Sequence, residues 1–282
     1  MKRIDPILDS IADIELAHML RTAVRAALQA GNIQRDRFDK PHQVQHKGAI
    51  DLVTEIDIAA EEAILTILQA EQSQASVLAE ESHSQYTESQ DGPVWIVDPL
   101  DGTTNYAHGF PWFGVSIAYA VDGISRVGVI YCPMQDELFC ACRGYGAWLN
   151  SRRIEVSNTR SLNQALVATG FPYDIQEHAE EVLAALQSIL LRAQDVRRAG
   201  AAALDLAYVA CGRLDGFWEI NLKPWDTAAG QLLVTEAGGK ISDFIANEYS
   251  PFLPEVLATN GFIHKELIAQ LQQFSKTGLK EP

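Results

Sequence analysis

The chain has 282 residues, 47% hydrophobic and 21% charged, enough to bury a large core and against long disorder. Its net charge of −15 disfavours nonspecific binding to nucleic acid or an anionic membrane, so an anionic substrate would need local positive charge, most simply from metal ions. No apolar run is long enough to span a bilayer and the N-terminus lacks a signal-peptide pattern, so the expected location is the cytoplasm.

Residues 1 to about 37 are helical in pattern. Leu16, Leu20, Val24 and Leu28 form one apolar stripe, with His18 expected to pack beside it and Gly31-Asn32 a stop signal. Residues 38 to 50 are polar and read as loop; His42 and His46 sit four apart, but Pro41 and the missing apolar pattern argue against a helical metal pair. Asp51-Leu-Val-Thr-Glu-Ile-Asp57 opens a new element. Asp57 is placed to N-cap a helix containing Ala60, Ile64, Ile67 and Leu68, or to orient a hydroxyl or water in a site. Ser76 to Ala79 reads as a short strand followed by Glu80-Glu81-Ser82, whose carboxylates matter only if that strand lies beside the next one.

That next strand is Val94 to Val97, apolar and β-rich, running into Asp98-Pro99-Leu100-Asp101-Gly102-Thr103-Thr104-Asn105. Pro99 is expected to end the strand and start a turn. Such a turn can be a plain surface feature, but an apolar strand carries it to the core, where unpaired carboxylates are costly. Two aspartates and a backbone carbonyl aimed at one point suit a hard divalent cation such as Mg²⁺. Gly102 onward reads as a helical start whose N–H groups suit a phosphate.

Val115 to Val121, Arg126 to Tyr131 and Glu137 to Cys142 read as an antiparallel meander. Gly144, Gly146 and Asn150 punctuate its end, with Trp148 packed beneath and a subdomain boundary near residue 150. Cys140 and Cys142 share a face of the last strand; with Cys132 and Cys211 they form no Cys-x-x-Cys pair, so no zinc site is expected. Ala165 to Thr169 is a further strand, 176 to 193 a helix, and Gly200 to Gly212 a small-residue helix whose start offers backbone N–H groups. Gly216 to Ile220 returns as a strand. Asp226 is expected to N-cap an Ala/Leu-rich helix ended by Gly238-Gly239. Ile241 to Phe244 and Glu255 to Ala258 are strands and 261 to 273 a last helix. Alternating helices and strands imply a layered α/β or α+β architecture.

Four blocks in order resemble the inositol monophosphatase family: Asp51 to Asp57, Ala79 to Ser82, Trp95 to Asn105, and Trp225-Asp226-Thr-Ala-Ala-Gly with Glu236 to Gly239. Arg198 to Gly216 resembles the bacterial branch. The resemblance spans about residues 10 to 265. It implies a layered αβαβα sandwich of the sugar phosphatase type, forming one unit over 1–282 and usually dimeric. The subdomain of about 1–150 would carry most metal ligands; that of 151–282 would supply Asp226 and substrate contacts. It implies Mg²⁺, two or three ions per site, often with Li⁺ inhibition. Glu80, Asp98 and the carbonyl of Leu100 would hold one ion; Asp98, Asp101 and Asp226 a second; a third would sit near Glu80. Gly102 and Thr103 would give N–H groups to the phosphate, Thr103 and Asp57 would orient the attacking water, and Glu219, Asp101 and the backbone near Ala202 would meet inositol hydroxyls. The catalytic set implied is thus Glu80, Thr103 and Asp57. Some members carry a basic residue five before the first aspartate of the first block; here Lys47 lies four before Asp51, and it is left out of the site.

The implied activity is hydrolysis of a small phosphate monoester, inositol 1-phosphate or a similar polyol phosphate. Rivals are fructose 1,6-bisphosphate, a nucleotide 3′-phosphate, NADP and histidinol phosphate, because the metal blocks are alike across these enzymes. Glu219 and the loop around 170 to 180 lean towards a polyol. A regulatory binding protein with secondary catalysis is the reading from another class; neither nucleic acid nor membrane is an expected direct partner.

Overall fold

The computed structural model describes residues 4–41, 44–46, 52–71, 74–82 and 91–275. His42, Lys47 and Asp51 lie outside them, and with His42 the question of a histidine pair.

Helices α1 (Asp5–Ser10) and α2 (Ile14–Arg37) are separated by a break at which Asp13 caps α2, accepting from the Leu16 N–H at 3.1 Å. Helix α2 does not stop at Gly31. A Cβ there would lie 2.4 Å from the Tyr131 ring, so this glycine serves close packing rather than termination. His18 is exposed and pairs with Glu71 at 3.5 Å instead of packing. Strands β1 (Val44–His46) and β2 (Leu52–Thr54) form a small antiparallel pair, so the polar 38–50 stretch is not all loop. Helix α3 (Glu55–Glu71) follows directly.

The larger sheet has seven strands in the order β3 (Ser76–Ala79), β4 (Pro93–Asp101), β5 (Gly114–Val121), β6 (Ile124–Cys132), β7 (Glu137–Cys142), β8 (Gly146–Leu149) and β9 (Arg152–Ile154). Only β3 and β4 run parallel; the rest are antiparallel neighbours in sequence, as the meander pattern predicts. The glycine-punctuated stretch after β7 is itself a strand, because Trp148 pairs with Cys140 and both are buried.

The apolar run of β4 is explained by two covered faces. Trp95 and Val97 point into a core with α1, α2 and α3, whereas Val94 and Ile96 point into a core on the other side. That second core is built by α6 (Ala202–Ala210) and α7 (Pro224–Glu236), which lie between this sheet and another. The second sheet has the order β11 (Asp195–Arg197), β10 (Leu166–Thr169), β12 (Gly216–Ile220), β14 (Glu255–Thr259) and β13 (Lys240–Ser242). Its outer face carries α5 (Ile175–Leu190) and α8 (His264–Leu271) over Val167, Trp218 and Leu257. The layers are therefore α, β, α, β, α. The last helix is shorter than its sequence pattern, closing with a 3-10 turn at Gln272–Phe274.

The two inner helices bind the halves together. Glu236 at the end of α7 accepts the N–H groups of Gly144 and Gly146, each at 2.9 Å, which fixes the turn between β7 and β8. Tyr208 of α6 donates to Glu137 at 3.0 Å, and Arg213 grips the same carboxylate.

A buried histidine makes stability pH-dependent. His264 is 1% exposed, with Nε2 2.9 Å from Ser242 Oγ and Nδ1 2.9 Å from Thr259 Oγ1. The Ser242 hydrogen goes to the Asp243 carbonyl, so Nε2 carries the imidazole proton and Thr259 donates to Nδ1. Burial, with Lys240 adding to it, lowers its pKa from 6.5 to about 4. The folded state holds the ring neutral while the unfolded chain protonates it below 6.5. This stabilisation is therefore full above 6.5 and is lost as pH falls towards 4, by about 2 kcal/mol between pH 7 and pH 5. Urea unfolding in EDTA should show His264→Gln less stable than the wild type at pH 7, with the gap between the two narrowed by about 2 kcal/mol at pH 5; the buried carboxyls, which gain stability over the same range, are common to both proteins and cancel in that difference.

Candidate active site

The site begins at the end of β4. Asp98 pairs with Ser116 and Asp101 with Gly114, three steps on one strand against two on the other. Residues three apart on a regular strand point to opposite faces. The β-bulge between them turns Asp101 round, so both aspartates line one cavity. Pro99 thus bends the strand without ending it. Asp98 Oδ1 accepts the Leu100 N–H at 2.9 Å, which holds the bend. From behind, Gln34 of α2 donates to the Pro99 carbonyl at 2.7 Å, and its own carbonyl accepts from Tyr106 at 2.9 Å.

Gly102 then takes φ +95°, a left-handed backbone that glycine adopts without strain, and opens helix α4 (Thr103–Ala107). Thr103 Oγ1 lies 2.8 Å from Asp57 Oδ1 and 3.0 Å from the Leu100 carbonyl. Asp57 is not an N-cap, since α3 begins at Glu55. It stands in the first turn, where its Oδ2 accepts both the N–H (2.8 Å) and the hydroxyl of Thr54. One oxygen of Asp57 thus anchors the helix start from inside the first turn, and the other faces Thr103. Burial raises the Asp57 pKa, and the Thr54 and Thr103 hydrogen bonds oppose the rise.

Strand β3 lies beside β4, the condition under which its terminal carboxylates matter. The Glu80 N–H donates to the Val97 carbonyl at 3.2 Å, and buried Glu61 of α3 accepts the Glu81 N–H at 2.9 Å. Asp226 is the third residue of α7, not its cap; it accepts the Lys223 N–H at 2.7 Å. Ser116 holds α7 against β5 through the Trp225 carbonyl at 3.0 Å. Asp101 accepts the Ala203 N–H at 2.8 Å at the start of α6, and Asn105 reaches the carbonyls of Trp112 (2.7 Å) and Ala199 (2.9 Å). The bulged turn is thereby clamped to the second half of the chain.

Glu80, Asp98, Asp101 and Asp226 line a cavity of about 420 Å³ together with Leu100, Gly102 and Thr103. Burial, then Glu80, Asp101 and Asp226, push the Asp98 pKa well up. Burial likewise raises Asp101 to about 7, against the Ala203 N–H. Among the described residues no three His, Cys, Asp or Glu side chains are drawn into a ready-made metal cage. The donor set nevertheless fits a hard divalent cation: oxygen ligands only, on a wall whose negative charges raise one another's pKa.

The far wall holds Glu219 of β12, 7% exposed, its carboxylate resting on Gly170. A Cβ at Gly170 would lie 2.0 Å from Glu219 Oε2. The Ala202 backbone lines the same cavity. The supporting contacts of Gln34, Glu61 and Asn105 were not assigned from sequence, nor was Asp205, which also lines the cavity. Gln34 had a readable signal: it continues the buried stripe Leu20, Val24, Ala27, Gly31 at helical spacing, a polar residue on a core face.

Comparison with known proteins gives one consistent result. The profile of the inositol monophosphatase family matches residues 15–277. The Nus factor SuhB of Salmonella typhimurium is 42% identical over 264 residues, 93% of this chain and 98% of that protein. The inositol-1-monophosphatase of a Synechocystis species is 44% identical over 254 residues, 90% of this chain and 88% of that protein. Among solved structures, the suhB protein of Bartonella henselae superposes with a TM-score of 0.84 at 40% identity, covering 93% of this chain and 99% of that one. The inositol monophosphatase of Anabaena superposes at 0.83 with 42% identity, covering 92% and 97%.

Proposed function

Since the chain belongs to the inositol monophosphatase family, we propose that it is a Mg²⁺-dependent phosphatase that hydrolyses inositol 1-phosphate or a similar polyol phosphate. The observation that carries this reading is the bulge of β4, which brings Asp98 and Asp101 onto the cavity that Glu80 and Asp226 also line. Glu80, Asp98 and the Leu100 carbonyl would hold one ion, and Asp98, Asp101 and Asp226 a second, with a third near Glu80. Bound there, Mg²⁺ supplies charge neutralisation for the phosphoryl group and lowers the pKa of water.

The chain's own residues then do the positioning, which is most of what phosphoryl transfer needs. Gly102 and Thr103 offer backbone N–H groups to the phosphate. The Thr103 hydroxyl has one hydrogen; donated to Asp57, it leaves lone pairs on Oγ1 to accept a hydrogen from the attacking water. Glu219, Asp101 and the Ala202 backbone meet the hydroxyls of the leaving alcohol. Water attacks in line, with no covalent enzyme intermediate.

A second reading is favoured by the name Nus factor SuhB on relatives 42% identical over nearly the whole chain: a partner-binding role beside hydrolysis. A net charge of −15 makes a protein a better partner than bare nucleic acid. A homodimer and a cytoplasmic location complete the proposal.

Phosphate release from inositol 1-phosphate, glycerol 2-phosphate, fructose 1,6-bisphosphate, adenosine 3′,5′-bisphosphate, NADP and histidinol phosphate, each with Mg²⁺ and with EDTA, tests it. The expected result is Mg²⁺-dependent preference for inositol 1-phosphate. Preference for another ester would move the substrate and keep the chemistry, and no release from any would favour the partner role.

A further inference from the structure

Beyond the phosphate end, the cavity has a feature that the residues named so far do not account for. Asp205, in the first turn of α6, is 2% exposed and lines the same cavity as Glu219. Among the described residues nothing donates a hydrogen bond to either carboxylate, although both are more than nine-tenths buried. Buried carboxylates without donors are costly, and an ionised carboxylate can only accept. Burial pushes the pKa of both carboxyls well up, and Arg198, its guanidinium held 5.0 Å above the Phe171 ring, opposes the rise.

We propose that Asp205 is a second hydroxyl acceptor in the leaving-group subsite, paired with Glu219, so that the site selects phosphate esters of uncharged alcohols bearing several free hydroxyls. This rests on the phosphatase reading and narrows it. Two buried acceptors need two donors, which a polyol presents from neighbouring carbons. A second phosphate on the leaving group brings further acceptors and no hydrogen to these two carboxyls, which argues against the bisphosphate rivals. Leaving buried acceptors unpaired is also what makes such a site reject esters without hydroxyls.

The test is a ratio: kcat/KM for inositol 1-phosphate divided by kcat/KM for phenyl phosphate, at saturating Mg²⁺, in the wild type and in Asp205→Asn. The ratio is independent of the fraction of enzyme correctly folded or metal-loaded. It should fall at least about tenfold in the variant. The corresponding ratio for fructose 1,6-bisphosphate should rise, because the variant's amide can donate to the second phosphate. An inositol 1-phosphate ratio within twofold of the wild type would overturn the assignment. So would a wild type that cleaves phenyl phosphate as well as the polyol ester. A wild type that cleaves no ester in Mg²⁺ would sink the phosphatase reading itself, and this inference with it.

Discussion

Asp98→Asn is expected to reduce Mg²⁺-dependent phosphate release by at least about 1,000-fold while leaving the fold intact. Asparagine keeps the shape of the side chain and the oxygen that accepts the Leu100 N–H, so the bulge should persist. What is lost is a charge placed between Glu80, Asp101 and Asp226, where it would bridge two ions. The same replacement has an opposite effect without metal. Asp98 is 2% exposed, and its ionised form is opposed by burial and by three carboxylates. Removing that charge should raise the thermal midpoint in EDTA above the wild type's. Mg²⁺ should then raise the wild-type midpoint by mass action and move the variant's far less. Partner binding, if the chain has such a role, should survive the change. Near-normal turnover in the variant would end the metal assignment.

Thr103→Val and Asp57→Asn should each lower kcat by about 100-fold with little change in KM, and the double variant should be no worse than the poorer single one. Valine removes the oxygen that accepts from water. The asparagine acts by polarity. Its oxygen must still take the Thr54 N–H, 2.8 Å from the present carboxylate oxygen, so its NH₂ faces Thr103. One Thr103 lone pair is then occupied and its hydrogen turns from Asp57 to the Leu100 carbonyl, 3.0 Å away, so the hydroxyl no longer aims the same free lone pair at the attacking water. Steady-state kinetics of the three variants at saturating Mg²⁺ check this. Additive losses would mean that the two side chains act separately.

Much of this was legible in the residues because local chemistry dictated it. The apolar run before Asp98, the meander after it and the small-residue helix near residue 205 form because strand propensity, turn residues and packing agree there. The errors have identifiable causes. Gly31 resembles a helix stop, yet it is a contact point for Tyr131, a residue a hundred positions away. Pro99 resembles a strand end, yet the missing N–H falls in a bulge, where no ladder bond is needed. Asp57 and Asp226 both sit inside first turns rather than at caps, because carboxylates that accept a preceding backbone N–H occupy that position as readily as the cap itself. The chain order of the blocks pointed to Asp98, Asp101, Glu80 and Asp226 as one group, but only the parallel pairing of β3 with β4 and the packing of α7 on β5 explain how they meet. Asp205 carried no sequence signal of its own, since an aspartate in a helix of alanines reads as a solvated position until β12 is placed beneath it.

The claim on which the rest depends is that Asp98 centres a cation site. Isothermal titration of Mg²⁺ into metal-free wild type and into Asp98→Asn, without substrate, tests it most directly. Saturable binding by the wild type, lost or weakened at least about tenfold in the variant, is the predicted result. Equal binding by the two proteins, or none by a folded wild type, would contradict it.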